Sequence, residues 1–242
     1  MRWIITLLIV LSAAAPARAE VPVDLALVLV TDVSRSVDDT EFDLLKKGYA
    51  AAFKSDAVIA GIRGGAIGAI AVNYVEFASA FEVRTVVDWT LIHDAASANE
   101  FAEKVRTAPR SFWGRTAISA GIDLAMKNLA TSGFEAQRRV IDVCGDGTNN
   151  NGRDASAARD DAVAAGVTIN GLAIINDHPV SWTFAHVQPP GGLANYYREN
   201  VTGGTGSFVI EIHNFATFGQ AMTRKLINEI AGLPPPVRLT RN

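Results

Sequence analysis

Residues 25–38 read Leu-Ala-Leu-Val-Leu-Val-Thr-Asp-Val-Ser-Arg-Ser-Val-Asp, an apolar run that ends abruptly in Asp32, Ser34 and Ser36. Leu25–Val30 carries no polar interruption and has about the length of a strand buried on both faces. Such strands belong to α/β sheets covered by helices on each side. Three oxygen-bearing side chains then follow at alternating positions, where the strand should stop. Ligands of open α/β sheets gather at the carboxyl ends of the strands, so chemistry is expected at this corner. Asp and Ser oxygens suit the hard cations Mg²⁺, Mn²⁺ or Ca²⁺ rather than a thiophilic metal.

The rest of the chain has the pattern needed to surround that strand. Asp38 and Glu41 stand at capping-box spacing, and Phe42, Leu45, Tyr49, Ala52 and Phe53 predict a helix over 39–54. Gly61, Gly64 and Gly65 predict a loop. Strands are expected at Ile67–Phe77 and Phe81–Trp89, and the short Ala78-Ser79-Ala80 link between them requires an antiparallel pair. Ser97 and Glu100 repeat the capping-box spacing before a short helix closing near Thr107. A loop with Phe112 and Trp113 leads to a helix starting after Thr116, with Ile118, Ile122, Ala125 and Leu129 on one face. Arg139–Cys144 is a further central strand, ending in Gly145-Asp146-Gly147.

Ala155–Ala165, with Asp154 as N-cap, and the strand Val167–Ile175 complete a βαβ unit. Residues 176–206 carry little pattern beyond a short helix near Leu193–Asn200. Phe208–Ile212 is a last strand, and Asn214 caps a final helix with Phe215, Phe218, Met222, Leu226 and Ile230 on its face. The fold class predicted is α/β: a doubly wound, mostly parallel central sheet with one antiparallel edge strand and helices on both faces.

The first nineteen residues read as a secretory signal peptide, with Arg2, the apolar Ile4–Leu11 and a small-x-small Ala17-Arg18-Ala19. Cleavage after Ala19 would take the formal charge from −3 to −5 and leave one domain over 20–233 with a tail over 234–242. The expected location is periplasmic or secreted. The acidic balance, with no basic stripe, argues against nucleic acid as a partner, and no later apolar run is long enough to span a membrane. Cys144 is the single cysteine, so the core must hold without an internal disulfide.

Asp32, Ser34 and Ser36, then Thr116, then Asp146 all fall at strand or helix boundaries on one edge of the expected sheet. This pattern resembles the von Willebrand factor A domain and its metal-ion-dependent adhesion site. Asp32-Val33-Ser34-Arg35-Ser36 matches that family's Asp-x-Ser-x-Ser, Thr116 its distant threonine, and Asp146-Gly147 its last Asp. More narrowly, Tyr74-Val75-Glu76-Phe77, Val140-Ile141-Asp142-Val143 and Tyr196-Tyr197-Arg198-Glu199-Asn200 resemble an uncharacterised family of exported bacterial proteins built on this domain. The likeness implies a divalent cation, Mg²⁺ first and Mn²⁺ or Ca²⁺ as alternatives, held by Asp32, Ser34, Ser36, Thr116 and Asp146. It also implies a protein partner that presents an acidic side chain to the ion.

Motifs for turnover are missing. The chain has no Gly-x-Ser-x-Gly elbow, and Gly203-Gly204-Thr205-Gly206-Ser207 lacks the lysine and spacing of a P-loop. A metal-assisted hydrolase would need a general base, for which Asp142 and Glu76 are the candidates. The four histidines show no metal-ligand spacing. Asp142, inside a strand, should pair or hydrogen-bond, and Cys144 reads as a small core residue. Arg35, Arg115 and Trp113 are candidates for the rim of the site. The Asn149-Asn150-Asn151 run either donates to a ligand or tolerates unusual dihedrals. The leading expectation is an exported metal-dependent interaction module rather than an enzyme. A hydrolase using the same ion and a structural domain with a degenerate site are the alternatives.

Overall fold

Residues 19–175 and 189–232 are described by a computed structural model. The signal-peptide reading, the stretch around His178-Pro179 and the tail with Pro234-Pro235-Pro236 lie outside the described residues.

The opening apolar run lies within β1 (Val21–Asp32), which pairs in parallel with β2 (Ile70–Phe77) on one side and β4 (Phe134–Gly145) on the other. β3 (Val83–Ile92) is antiparallel to β2 at one edge, while β5 (Thr168–Ile174) and β6 (Val209–Ile212) extend the other edge in parallel. The sheet order is β3-β2-β1-β4-β5-β6, as the doubly wound reading requires. The chain runs outward from β1 in one direction and returns through β4 to run in the other. The carboxyl ends of β1 and β4 therefore flank the topological switch point, where α/β sheets open a crevice.

Period-two alternation along β1 sends its side chains into two cores. Leu25, Leu27 and Leu29 pack with α1 (Asp39–Phe53), α2 (Asp56–Arg63), α3 (Ala95–Thr107) and α7 (Phe218–Ala231). Ala26, Val28 and Val30 pack with α4 (Ile118–Ala130), α5 (Ala155–Ala164) and α6 (Leu193–Asn200). Each fully buried leucine contributes about 1.5–3 kcal/mol by removal from water. α4 can lie close against the sheet because position 121 is glycine: a side-chain carbon there would stand 2.6 Å from Val30. That close seat carries the start of α4, and Thr116 before it, to the end of β1.

The structure departs from the sequence reading at several boundaries. Gly64 and Gly65 fall in a loop as predicted, but residues 56–63 form a helix that takes in Gly61. Ser55 starts it by accepting from Val58 N at 3.3 Å, and Val58 and Ile62 bury one face. Burying two such side chains outweighs the ~1 kcal/mol penalty of Gly61 within a helix. α3 begins two residues before Ser97, with Asp94 as its N-cap and Ser97 closing the capping box. β4 starts at Phe134, because residues 134–139 still find partners along Val21–Ala26. β2 starts at Ile70 and β3 at Val83, which leaves Phe81 in the connecting turn. Asn214 caps a single 3-10 turn, Phe215–Thr217, and α7 follows from Phe218. Asp154 holds the N-cap position of α5 without a side-chain bond.

Candidate functional site

Asp32 is the last residue of β1, and its Oδ1 accepts from Ser34 N at 2.8 Å, turning the chain sharply at the strand end. Val37 N donates to Ser34 O at 3.1 Å, which folds Ser34 and Ser36 into one compact loop before the Asp38 capping box opens α1. Thr116 sits just before α4, where Ala117 N donates to Ala78 O at 2.7 Å and Thr116 N to Asn150 Oδ1 at 3.1 Å. Asp146 follows β4 directly. Three loops are thus brought to one point by three different elements.

The predicted side chains meet there. Ser34 Oγ and Ser36 Oγ are 3.2 Å apart, Thr116 Oγ1 donates to Ser34 Oγ at 3.1 Å, and Ser36 Oγ donates to Asp146 Oδ1 at 2.7 Å. Asp32 joins through its bond to the Ser34 backbone. Asp32, Ser34, Thr116 and Asp146 are buried, and Ser36 is partly open to solvent. The result is a cluster of hard oxygens, two carboxylates among three hydroxyls, at the switch point of the sheet. Among the described residues no group of three or more His, Cys, Asp or Glu is arranged to hold a metal ion. A cation at this corner would depend on the hydroxyls beside the two carboxylates.

The surroundings are charged and partly desolvated. Burial pushes the Glu41 carboxyl up to about 7, and the Asp38 and Asp146 carboxylates add to the shift. Burial also raises Glu76, although it accepts a hydrogen bond from Ser111 N at 2.9 Å. Burial, then the Asp32 charge, raises the Tyr197 phenol well above its ordinary range.

The remaining candidates separate cleanly. Asp142 is paired with Lys225 of α7 at 2.7 Å, so it serves the buried core on the α7 side. Cys144 is buried in the same core. Asn149, Asn150 and Asn151 are not in the left-handed region that would explain them as turn formers, since no non-glycine residue among those described has a positive φ. Their carboxamides staple the loops instead. Asn149 Oδ1 accepts from Ser119 N at 3.1 Å, Asn150 Oδ1 from Thr116 N, and Asn151 Oδ1 from Ala80 N at 2.7 Å. Arg35, Arg115 and Trp113 are exposed.

Arg110 and the Tyr196–Tyr197 pair support the site without any strong sign of it in the sequence. The Arg110 Nη2 donates to Val33 O and Ser34 O, each at 2.7 Å, and its Nε to Phe112 O at 2.9 Å. Its guanidinium lies 3.6 Å from the centroid of the Trp113 ring. Arg110 therefore clamps the Ser34 loop to the Trp113 loop. Tyr196 Oη accepts from Asn149 N at 3.2 Å, which ties α6 to the loop after β4. Arg110 shows in the sequence only as an arginine in a loop, and the tyrosine pair only as part of the Tyr196–Asn200 stretch that carries the family resemblance, with no hint of its place at the site.

A search of curated proteins gives no match. Among solved structures, the chain is similar to proximal thread matrix protein 1 from the mussel byssus, with a TM-score of 0.64 and 16% identity over 88% of this chain. It spans about half of that protein, 49% of its length. Another structure of the mussel protein has a zinc-occupied MIDAS motif. The von Willebrand factor type A protein from Catenulispora acidiphila is similar at TM-score 0.63 and 15% identity, covering 86% of this chain and 43% of that one. The vWF domain of the type V pili tip protein Mfa5 from Porphyromonas gingivalis matches at TM-score 0.56 and 13% identity, over 90% of this chain and 98% of that one. These likenesses establish the fold, and the family follows from the sequence match over residues 22–234. The chain folds as a von Willebrand factor A-like domain and belongs to the family described as Protein of unknown function (DUF1194).

Proposed function

We propose that this protein is an exported interaction module that holds a divalent cation, Mg²⁺ first, and uses it to bind an acidic side chain of a protein partner. The observation that carries the reading is the spacing of the clustered oxygens. Thr116, Ser34, Ser36 and Asp146 form a chain of successive contacts at 2.7–3.2 Å. Adjacent ligands of an octahedral Mg²⁺ site, with metal–oxygen distances of 2.0–2.1 Å, are about 2.9 Å apart. The donor set fits a hard cation: Ser34, Ser36 and Thr116 would supply neutral hydroxyls, and Asp32 and Asp146 the charge, directly or through water. An ion held by so few charges keeps its affinity for an incoming carboxylate, and the half-open Ser36 gives that carboxylate a way in.

Two further observations favour binding over turnover. A hydrolytic reading needs a general base, but Asp142 is committed to Lys225 and Glu76 is enclosed with Ser111 N as a donor. The rim is built for contact: Phe81 is 100% exposed and Trp113 is 49% exposed, beside the exposed Arg35 and Arg115. Ala78 O, Ser79 Oγ and Ala80 N of the Phe81 turn bond to Ala117, Arg115 and Asn151, so the aromatic tip is tied to the site loops. Exposed aromatic and arginine side chains in such a setting suit a protein surface. Export itself rests on the N-terminal pattern and agrees with the pilus-tip origin of one similar structure. No helix among the described residues is long and apolar enough to cross a membrane.

Calorimetric titration with Mg²⁺ and Mn²⁺ tests the reading. The parent should bind one ion, and Asp32→Ala and Asp146→Ala should each abolish the heat. If both variants bind like the parent, the site is wrongly assigned. Capture from envelope extract with Mg²⁺ and then with EDTA tests the partner half: a metal-dependent partner is released by the chelator.

A further inference from the structure

Tyr197, on α6, is 0% exposed, and its hydroxyl has no hydrogen-bond partner among the described residues. Its ring runs along a lane opened by two glycines in neighbouring strands. A side-chain carbon at Gly171 of β5 would stand 2.8 Å from Tyr197 Cδ1, and one at Gly145, the end of β4, would stand 2.8 Å from the hydroxyl. The same point at Gly145 lies 2.9 Å from Asp32 Cβ and 3.0 Å from Asp32 Oδ2. Phenol and carboxylate therefore both border the space beside Gly145, which only a glycine at 145 leaves open. The adjacent Tyr196 fastens the same helix to the loop after β4 through Asn149 N.

A buried donor without an acceptor is rare because it gives up its water for nothing. Phenylalanine would fill the lane equally well and strand no hydroxyl, so packing alone does not account for tyrosine here. A hydroxyl that shares the space beside Gly145 with the carboxylate of an Asp that would charge-balance a cation has a use once the cation is present. Hydrogen bonds from outside the ligand shell orient the carboxylates that hold a metal.

We propose that Tyr197 is a positioning residue for the metal site, its hydroxyl donating to the Asp32 carboxylate and setting the orientation in which Asp32 serves the ion. This rests on the metal-binding reading above. It also accounts for α6, which braces the site from below, with Tyr197 toward the end of β1 and Tyr196 on the loop after β4.

The test compares the parent with Tyr197→Phe by Mg²⁺ and Mn²⁺ calorimetry, and by thermal unfolding without metal. The ion affinity should fall roughly tenfold or more. The metal-free unfolding temperature should stay the same or rise, because the stranded hydroxyl is gone. A purely structural tyrosine would instead lower the unfolding temperature and leave the affinity of the folded fraction unchanged. Affinity within about twofold of the parent overturns the proposal. A parent that binds neither ion overturns the metal reading itself, which is a separate result. Should the variant fail to fold, the parent decides: saturating Mg²⁺ must change tyrosine absorbance, and a silent difference spectrum counts against the hydroxyl.

Discussion

Ser36 Oγ donates to Asp146 Oδ1 at 2.7 Å, joining two residues that stand 110 positions apart in the chain. The bond closes the front of the oxygen cluster, because Ser36 is its most open member and Asp146 lies on the opposite side of the switch point. Ser36 also touches Ser34 Oγ, which in turn accepts from Thr116. A single hydroxyl thus couples the loops after β1 and β4.

Ser36→Ala separates the two duties of that hydroxyl. A partly buried hydrogen bond contributes about 1 kcal/mol to folding, so the unfolding midpoint should move little. Loss of a hydroxyl ligand should weaken Mg²⁺ binding by about tenfold or more, in proportion to its direct role in a small donor set. Parallel urea unfolding and calorimetry check both. A large loss of stability with unchanged ion affinity would make Ser36 a structural residue.

The fold and the five clustered residues are legible in the sequence for a common reason. β1, β4 and α4 announce themselves by uninterrupted or regularly spaced apolar residues; Asp32 and Asp146 stand where the strand patterns stop, and Thr116 where the helix pattern begins. What stays hidden depends on partners distant in sequence. Arg110 looks like an ordinary loop arginine, since its acceptors Val33 O and Ser34 O are 77 and 76 positions away. The aim of Tyr197 is set by glycines in two separate strands. α2 escapes a local reading because Gly61 carries a loop signal, while the burial of Val58 and Ile62 that decides the matter is tertiary.

Lys225 makes a second, wholly buried charge cluster beneath the sheet. Its ammonium lies 2.7 Å from Asp142 and 2.5 Å from Glu229, all three side chains being fully enclosed, and Asn170 donates to Glu229 at 2.9 Å. Burial alone would lower the lysine, but Asp142 and Glu229 together raise it, so it stays charged. Lys225→Met leaves two carboxyl groups enclosed with no cation. It should cost about 3–5 kcal/mol, read as a large drop in the urea midpoint, while Mg²⁺ affinity of the folded fraction stays near the parent value. A midpoint close to that of the parent would mean that the cluster relaxes into solvent.

Stability should fall as pH rises from about 4 to about 7 and then level off. Burial, reinforced by Glu229, lifts Asp142 from 3.8 to about 7, and burial lifts Glu41 from 4.5 to about 7. Between the unfolded and folded values the folded chain binds more protons, so each step up in pH favours the unfolded state. Glu103 works in the opposite sense, held down to about 2 by Arg106 and Lys54, but it is solvated and screened. Glu41→Gln keeps a capping-box acceptor and removes one titrating group. Discounted for partial solvation, it should recover about 1–2 kcal/mol at pH 7 and nothing at pH 4. Urea midpoints of parent and variant across that range check the sign, and an equal gain at both ends would refute it.

Arg110 decides whether the Ser34 loop can keep its shape. Its guanidinium reaches Val33 O, Ser34 O and Phe112 O together and stacks on Trp113, which a lysine ammonium cannot reproduce with one point charge. Burial lowers its pKa, with Asp39 and Asp32 opposing, yet it remains fully charged at neutral pH. In Arg110→Lys the loop carbonyls at 33 and 34 lose two short donors, so Ser34 Oγ is no longer held against Thr116 Oγ1. Mg²⁺ affinity should fall by about tenfold, as for other losses of support behind ligands. Trp113, released from the cation over its ring, should change its fluorescence at the same time. Trp113→Ala removes the stacking and leaves the carbonyl bonds, so it should lower the ion affinity by much less. Equal losses in both variants would shift the clamp from the hydrogen bonds to the ring.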